Sequence, residues 1–186
     1  MHQKPINTGW IEVICGGMFS GKTEELLRRI RRAKIAKLST IIFKPKIDTR
    51  YSNNKIVSHN KNSMDSINIT KTKDLFNLGQ EYDVVGIDEA QFFDNDLIES
   101  CKKLANEKTR VIVAGLVSDY KGLPFGPMPD IMCESDYLDK LTAICIKCGL
   151  DASFTQRITE QTQQVVIGET EFYEARCRKC FDPPKK

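Results

Sequence analysis

Long apolar runs and a strong charge imbalance are both missing from this 186-residue sequence. Its apolar runs are only a few residues long, whereas a helix that crosses a bilayer needs about 20, so we predict no contact with a membrane. Its 28 basic and 25 acidic residues leave a net charge of +3, which argues against a dedicated nucleic-acid binder with a basic face. The first ten residues contain no apolar segment typical of a secretory signal. We therefore expect a cytoplasmic protein.

The sequence has seven cysteines, although lasting disulfides are rare in the cytoplasm. Cys15, Cys101 and Cys133 are scattered, and we predict that they are small buried hydrophobic residues. The other four form two C-x-x-C pairs with 28 residues between them: Cys145, Cys148, Cys177 and Cys180. Two such pairs are typical of a tetrahedral zinc site, and four thiolates leave no open position for catalysis. We predict structural zinc that tethers both ends of segment 149–176; a redox dithiol is the alternative.

Apolar segments alternate with helical ones along most of the chain. We predict strands at Trp10–Cys15, Thr40–Lys44, Tyr82–Asp88 and Arg110–Gly115. We predict helices that begin at Lys22 and near Pro129 and one at Asp96–Asn106. Nearly continuous apolar strands alternating with helices are typical of a parallel sheet covered on both faces. Short alternating pieces at Lys55–Ser58 and Ser66–Thr70 suggest a minor hairpin.

The segment GGMFSGKT matches the phosphate-binding pattern G-x-x-x-x-G-K-[ST] in full and lies between a predicted strand and a predicted helix. Its backbone N–H groups would point at phosphate oxygens, with the helix N-terminus adding a positive dipole. Lys22 would contact the β- and γ-phosphates, and the Thr23 hydroxyl would bind Mg²⁺. The alternative is a glycine-rich turn beside a surface lysine. The predicted ATP contacts here are Gly16, Gly17, Met18, Phe19, Ser20, Gly21, Lys22 and Thr23.

Two acids follow the apolar strand residues of VVGIDE. Ligands of open α/β sheets bind at the carboxyl ends of the strands, so Asp88 would face the Mg²⁺ bound by Thr23. Adjacent residues of a strand point to opposite faces, so we expect Glu89 to have a separate role. It could accept the proton of the group that attacks the γ-phosphate. The alternatives are a helix cap for Asp88 and an ordinary surface acid for Glu89.

Together these segments resemble the zinc-containing cytosolic thymidine kinases, called type II, from about Gly9 to Cys180. The matching stretches occur in order along the chain: GGMFSGKTEELLRRIRR, FKPKIDTRYS, VSHN, GIDEAQFF, RVIVAGL, PFGP, KLTAICIKCG, TQR and VIGETEFYEARCRKC. The resemblance implies transfer of the γ-phosphate of ATP to the 5'-hydroxyl of thymidine, and also of deoxyuridine, in nucleotide salvage for DNA synthesis. It places the catalytic base at Glu89.

The resemblance also implies binding residues that spacing alone does not predict. A loop between the cysteine pairs, called a lasso, would cover thymidine. Substrate contacts would come from Met18, Phe92, Leu116, Tyr120, Phe125, Thr155, Val166, Ile167, Gly168 and Tyr173. Further contacts with ATP and its metal would come from Asp88, Glu89, Ala90, Gln91 and Arg50. Without the resemblance, most of the apolar residues in this set would be interpreted as core.

The resulting prediction is an α/β fold: a P-loop NTPase-like parallel sheet flanked by helices, with a small C-terminal zinc-binding lasso domain. The ATP-binding domain would cover residues 1–140 and the zinc-binding domain residues 141–186. The resemblance implies a homotetramer and feedback inhibition by thymidine triphosphate, and the near-neutral charge predicts no nucleic-acid partner. The alternative is a P-loop ATPase with a zinc ribbon that acts on nucleic acid.

Three positions depart from the usual family pattern. Gly17 stands where serine or proline is common, Val117 replaces a frequent aspartate, and Tyr120 stands where phenylalanine is usual. The two later positions bear on the fine structure of the substrate pocket.

Overall fold

A computed structural model describes residues 8–46, 55–57, 63–165 and 170–183. Its largest element is a six-stranded sheet in which every pairing is parallel. Its strands in chain order are β1 (Trp10–Gly16), β2 (Thr40–Pro45), β5 (Ile67–Ile69), β6 (Val84–Ile87), β7 (Arg110–Leu116) and β8 (Tyr137–Leu141). In space the order is β5-β2-β6-β7-β1-β8. β1 therefore lies between β7 and β8, and its carboxyl end opens beside the end of β7.

Four α-helices accompany the sheet: α1 (Lys22–Ile35), α2 (Asp74–Gly79), α3 (Asp96–Asn106) and α4 (Met128–Cys133). Successive residues of the central strands contribute to two different cores. Val13 of β1 lies in a larger core with residues of α2, α3 and α4, whereas Ile14 lies in a second core with residues of α1. The sheet is thus covered on both faces, as the apolar strands predict.

A buried ion network holds α1 against the sheet. Glu12 of β1 accepts hydrogen bonds from Arg29 of α1 and Arg110 of β7, each at 2.7 Å, and Arg29 also reaches Asp139 of β8 at 2.6 Å. Burial opposes ionisation of Glu12, but the hydrogen bonds from Arg110, Trp10 and Arg29 lower its pKa. Because α1 follows the phosphate-binding loop, this network also fixes the position of the loop.

The C-terminal region forms a second, smaller unit, which we call the zinc lobe (residues 143–183). It contains the antiparallel pair β9 (Ala143–Ile144) and β10 (Asp151–Ala152) and the antiparallel pair β11 (Phe154–Arg157) and β12 (Tyr173–Arg176). Among its described residues, the hydrophobic core consists of five buried side chains: Ala143, Cys145, Ala152, Ala175 and Cys177. The division of the chain at residues 140 and 141 stays a prediction.

The structure corrects the predicted minor hairpin. β3 (Lys55–Val57) pairs with β4 (Ser63–Asp65), whereas β5 instead joins the edge of the main sheet parallel to β2. The reason is burial. Ile69 at the end of β5 lies in the larger core, whereas its side chain would be exposed in a surface hairpin. One cysteine prediction is also wrong, because Cys133 ends α4 with an exposed side chain, whereas Cys15 and Cys101 are buried.

Within the described residues, no helix combines the length and apolar character needed to span a membrane.

Candidate active site

The phosphate-binding loop runs from Gly16, the last residue of β1, into the first turn of α1. A β-carbon added at Gly16 would lie 2.5 Å from the carbonyl oxygen of Leu141, so no larger residue fits there. Gly21 has φ 82°, a left-handed conformation that glycine adopts without strain. The Ser20 hydroxyl and the Lys22 ammonium donate to the Gly17 carbonyl at 2.8 and 2.6 Å. These bonds fold the loop into a compact cradle, with Lys22 lying across it.

Thr23 and Asp88 meet at the carboxyl edge of the sheet, as the sequence predicts. The Thr23 hydroxyl donates to Asp88 Oδ2 at 3.1 Å. Burial raises the pKa of Asp88 to about 7, and the nearby charge of Glu89 acts in the same direction. A hydroxyl and a carboxylate are hard oxygen ligands of the kind that Mg²⁺ binds together with phosphates. A divalent cation here would favour the ionised carboxylate.

The backbone at Glu89 differs from the extended strand that the sequence predicted. β6 ends at Ile87, so strand alternation does not set the direction of Glu89, and the reasoning from opposite strand faces is wrong. Glu89 has φ 52°, an uncommon conformation for a residue other than glycine. Strained backbone of this kind is frequent at functional sites. Glu89 immediately precedes the short 3₁₀ helix Ala90–Phe92.

Gln91 fixes the Glu89 side chain. Gln91 is buried, and its Nε2 donates to Glu89 Oε2 at 2.5 Å. Its Oε1 accepts a hydrogen bond from the backbone N–H of Leu116 at 2.9 Å. Both ends of the amide are therefore used, and Gln91 links Glu89 to the end of β7. A residue predicted to contact ATP is here a support for the predicted base.

Several of the predicted substrate residues lie close to one another. The rings of Phe92 and Phe125 meet edge to face, with centroids 5.6 Å apart. The backbone N–H of Met18 donates to the Thr155 hydroxyl at 3.0 Å, which joins the phosphate-binding loop to β11. Next to it, Phe19 packs against the core of the zinc lobe.

Tyr120 and Tyr173 are both buried and both contact Arg157. The Arg157 guanidinium lies 3.6 Å from the centroid of the Tyr120 ring and donates to the Tyr173 hydroxyl at 2.8 Å. Leu116, the last residue of β7, is half-buried. Ala90 contributes its side chain to the larger core. The predicted contacts at Arg50, Val166, Ile167 and Gly168 lie outside the described residues.

Four sulfur atoms converge in the zinc lobe. The Sγ atoms of Cys145, Cys148, Cys177 and Cys180 all lie within 4.8 Å of one another. The pair Cys148 and Cys177 is 3.6 Å apart, and tetrahedral zinc with bonds of about 2.3 Å would separate its sulfurs by about 3.8 Å. Burial alone would raise the pKa of Cys145, but backbone N–H donors from Cys177, Cys148 and Lys147 lower it to about 6. The sulfur spacing fits a zinc ion.

The sequence analysis missed Asp119, which organises the connection between β7 and α4. Its buried carboxylate accepts hydrogen bonds from the backbone N–H groups of Lys121 and Leu123, at 2.9 and 3.0 Å. Gly122 follows in a left-handed conformation, with φ 78°. An aspartate three residues before a glycine is a turn signal that could have identified this residue.

Comparisons with known proteins agree with this geometry. The sequence model of a family described as thymidine kinase matches residues 9–181. A thymidine kinase from Rhodothermus sp. (strain ITI 518) is 51% identical over 179 residues, which cover 96% of this chain and 84% of that protein. Thymidine kinases from Bacteroides fragilis (strain ATCC 25285) and Bacteroides thetaiotaomicron are 54% and 53% identical, each over 96% of this chain and 90% of the relative.

Proposed function

This chain belongs to the thymidine kinase family, and we propose how its residues transfer a phosphoryl group from ATP to thymidine. The observation that carries the proposal is the meeting of Thr23, Asp88 and Glu89 at the carboxyl edge of the sheet, next to the phosphate-binding loop. The enzyme is a thymidine phosphotransferase. A P-loop ATPase that acts on nucleic acid is not favoured, because the family match covers nearly the whole chain.

The phosphate-binding loop holds the triphosphate through its backbone N–H groups, with Lys22 next to the transferred phosphoryl group. Thr23 and Asp88 would hold Mg²⁺, which neutralises charge on the phosphate oxygens when bound. Glu89 accepts the proton of the thymidine 5'-hydroxyl. A bond forms between that oxygen and the γ-phosphorus, the bond to the ADP oxygen breaks, and the products are thymidine monophosphate and ADP.

Binding of thymidine falls to the aromatic residues and to Thr155. Phe92 and Phe125 would supply apolar surface, and Tyr120 and Tyr173, which both contact Arg157, would supply two further rings. Main-chain groups of the segment between the cysteine pairs would pair with O4 and N3–H of thymine. The 5-methyl group would lie near Met18 and Thr155, which share a hydrogen bond.

Zinc in the four-cysteine cluster has a structural role in this proposal. It would join the β9–β10 pair to β12, and thereby hold both ends of segment 149–176. The family resemblance also supports a cytoplasmic homotetramer with feedback inhibition by thymidine triphosphate.

A coupled assay with thymidine, deoxyuridine, deoxycytidine and uridine tests the proposed function. Thymidine and deoxyuridine should be substrates. Deoxycytidine should not, because cytosine has an amino donor in the position of O4 and an acceptor at N3. Two unpaired buried groups at about 1–3 kcal/mol each predict roughly hundredfold or greater rejection of deoxycytidine. Comparable kcat/KM for deoxycytidine would contradict this specificity. ATP hydrolysis stimulated by DNA in a parallel assay, with no thymidine phosphorylation, would support the nucleic-acid alternative.

A further inference from the structure

Arg157, the last residue of β11, is one of the most heavily used side chains in the described structure. It is 6% exposed, and four of its five N–H groups have acceptors. Nη1 donates to the carbonyl oxygen of Gln161 at 2.9 Å and to that of Gln163, and Nη2 donates to the carbonyl oxygen of Gln164 at 3.1 Å. The fourth donation is to the Tyr173 hydroxyl, again from Nη2, while Nε has no partner among the described residues.

The flat face of the same guanidinium lies on an aromatic ring. Arg157 Cζ is 3.6 Å from the centroid of Tyr120, within the range of a cation–π contact. The Tyr120 hydroxyl in turn donates to the carbonyl oxygen of Thr162 at 2.8 Å. Tyr120 is the residue that stands where phenylalanine is usual, so this last bond is available only because of the hydroxyl.

A third side chain reinforces the same arrangement. Gln164 donates from Nε2 to the buried Asp119 carboxylate at 3.1 Å, and Asp119 organises the connection between β7 and α4. The side chains of residues 161–164 are mostly exposed. The segment is therefore held through its own main-chain carbonyls, which accept hydrogen bonds from Arg157 and Tyr120. Little apolar burial contributes here, so polar contacts decide the position of this segment.

We propose that Arg157 is a positioning residue for thymidine, which acts through Tyr120, Tyr173 and the main chain of residues 161–164. Its guanidinium sets the distance between the two tyrosine rings and attaches the segment between the cysteine pairs to the β7–α4 connection. This inference rests on the proposed function, in which those rings and that segment contact thymidine. It predicts that loss of Arg157 weakens thymidine binding while ATP binding at the phosphate-binding loop is unaffected.

Lysine is the informative replacement because it keeps the positive charge. A single ammonium has three donors on one atom and no planar surface, so it does not stack on Tyr120 while donating to acceptors on both sides. Arg157→Lys should therefore raise KM for thymidine roughly tenfold or more, with kcat and KM for ATP within about twofold of wild type. Hydrogen exchange of residues 158–165 should accelerate in the same variant.

Two further variants separate positioning from general support of the fold. Tyr120→Phe removes only the hydroxyl bonded to Thr162 and should raise KM for thymidine by a few-fold. Arg178→Lys is the matched control, because Arg178 is exposed and its guanidinium lies 4.9 Å from the Phe154 ring centroid, away from the tyrosine pair. Its kinetics and its exchange pattern should equal those of wild type.

The proposal is overturned if Arg157→Lys leaves KM for thymidine and the exchange of residues 158–165 unaltered. It is equally overturned if both Michaelis constants rise together with a lowered Tm, which would indicate a purely structural role. Should Arg157→Lys fail to fold, an unchanged thymidine KM in Tyr120→Phe overturns it instead. Absence of thymidine phosphorylation by wild type would contradict the proposed function, while the exchange measurement would still test the attachment made by Arg157.

Discussion

The main sheet and the zinc lobe are stabilised by different kinds of interaction. The sheet has strands of up to seven residues and two apolar cores, one on each face. The zinc lobe has strands of two to four residues around a core of five small or sulfur-containing side chains. The free energy gained by burying apolar surface grows with the area that is buried. The sheet therefore needs no metal, whereas the lobe depends on four thiols and a few polar side chains. In the function proposed above, the sheet edge carries the phosphoryl chemistry and the lobe holds thymidine.

The largest effect should follow from a change at the sheet edge. Glu89→Gln keeps the shape of the side chain but removes the base, and should lower kcat roughly 10²–10⁴-fold. Michaelis constants for ATP and thymidine should change little, because the binding contacts remain. Steady-state kinetics on both substrates measure this. A loss smaller than about tenfold in kcat would exclude Glu89 as the base and break the assignment of chemistry to the sheet edge.

A change at Gln91 should lower kcat by a smaller factor than Glu89→Gln. Gln91→Met removes the donor that holds Glu89 and the acceptor used by Leu116, and keeps the volume of a buried side chain. Hydrogen bonds that involve a charged group contribute about 1.5–3 kcal/mol, so kcat should fall roughly ten- to hundredfold. If kcat of the double variant Glu89→Gln, Gln91→Met is as low as that of Glu89→Gln and no lower, Gln91 acts through Glu89.

An intermediate effect should follow from a change in the zinc lobe. Freshly purified protein should contain about one zinc per chain, as four thiolates predict. Cys148→Ser should weaken zinc binding and raise KM for thymidine roughly tenfold, while circular dichroism of the sheet persists. KM for ATP should rise less, because Lys22 and Thr23 lie outside the lobe, in the first turn of α1.

Cys133→Ser is the control for that measurement. Cys133 is an exposed cysteine outside the four-sulfur cluster, so its loss should change neither zinc content nor either Michaelis constant. If zinc removal from the Cys148→Ser protein left thymidine affinity intact, the dependence of substrate binding on the lobe would be refuted.

The smallest effect should follow from a change where the phosphate-binding loop contacts the zinc lobe. A β-carbon at Gly17 would lie 3.4 Å from the Ser153 carbonyl oxygen and 3.5 Å from the Thr155 hydroxyl, which is ordinary contact. Gly17→Ala should leave kcat unchanged and raise stability by about 0.4–1 kcal/mol, since it reduces the entropy of the unfolded chain. Denaturant unfolding measures the difference.

Gly16→Ala sharpens the same measurement, because the neighbouring glycine has no room for a methyl group. Overpacking of this kind costs about 1–3 kcal/mol, so the two alanine variants should differ in sign. Two destabilised proteins would mean that the loop is more tightly enclosed by the lobe than the contact distances indicate.

The sequence predicts the sheet better than it predicts the site. α3 begins and ends at the predicted residues, since its apolar face repeats at helical spacing. β8 went unpredicted because three of its five residues are exposed, which removes the apolar run of a buried strand. The phosphate-binding loop, Asp88 and the cysteines were found because fixed spacings encode their geometry.

Contacts between distant residues left no comparable pattern in the sequence. The left-handed backbone of Glu89 and its bond to Gln91 depend on where β7 ends, in a separate part of the chain. The acceptors of Arg157 are main-chain carbonyls, which any residue supplies. Such contacts arise only once the strands are arranged in space, and no local spacing indicates them.

The strand order has a consequence for the time at which the enzyme becomes competent during synthesis. β1 precedes the other described strands in the chain, yet its neighbours in the sheet are β7 and β8, and Trp10 is in register with Arg110, 100 residues later (110 − 10). At about 5–20 residues per second, the ribosome needs roughly 5–20 s to produce that partner. During this interval the apolar residues of β1 have no sheet to join. The phosphate-binding loop therefore acquires its final support only after β7 has been made, and the strands of the zinc lobe follow β7 and β8 along the chain.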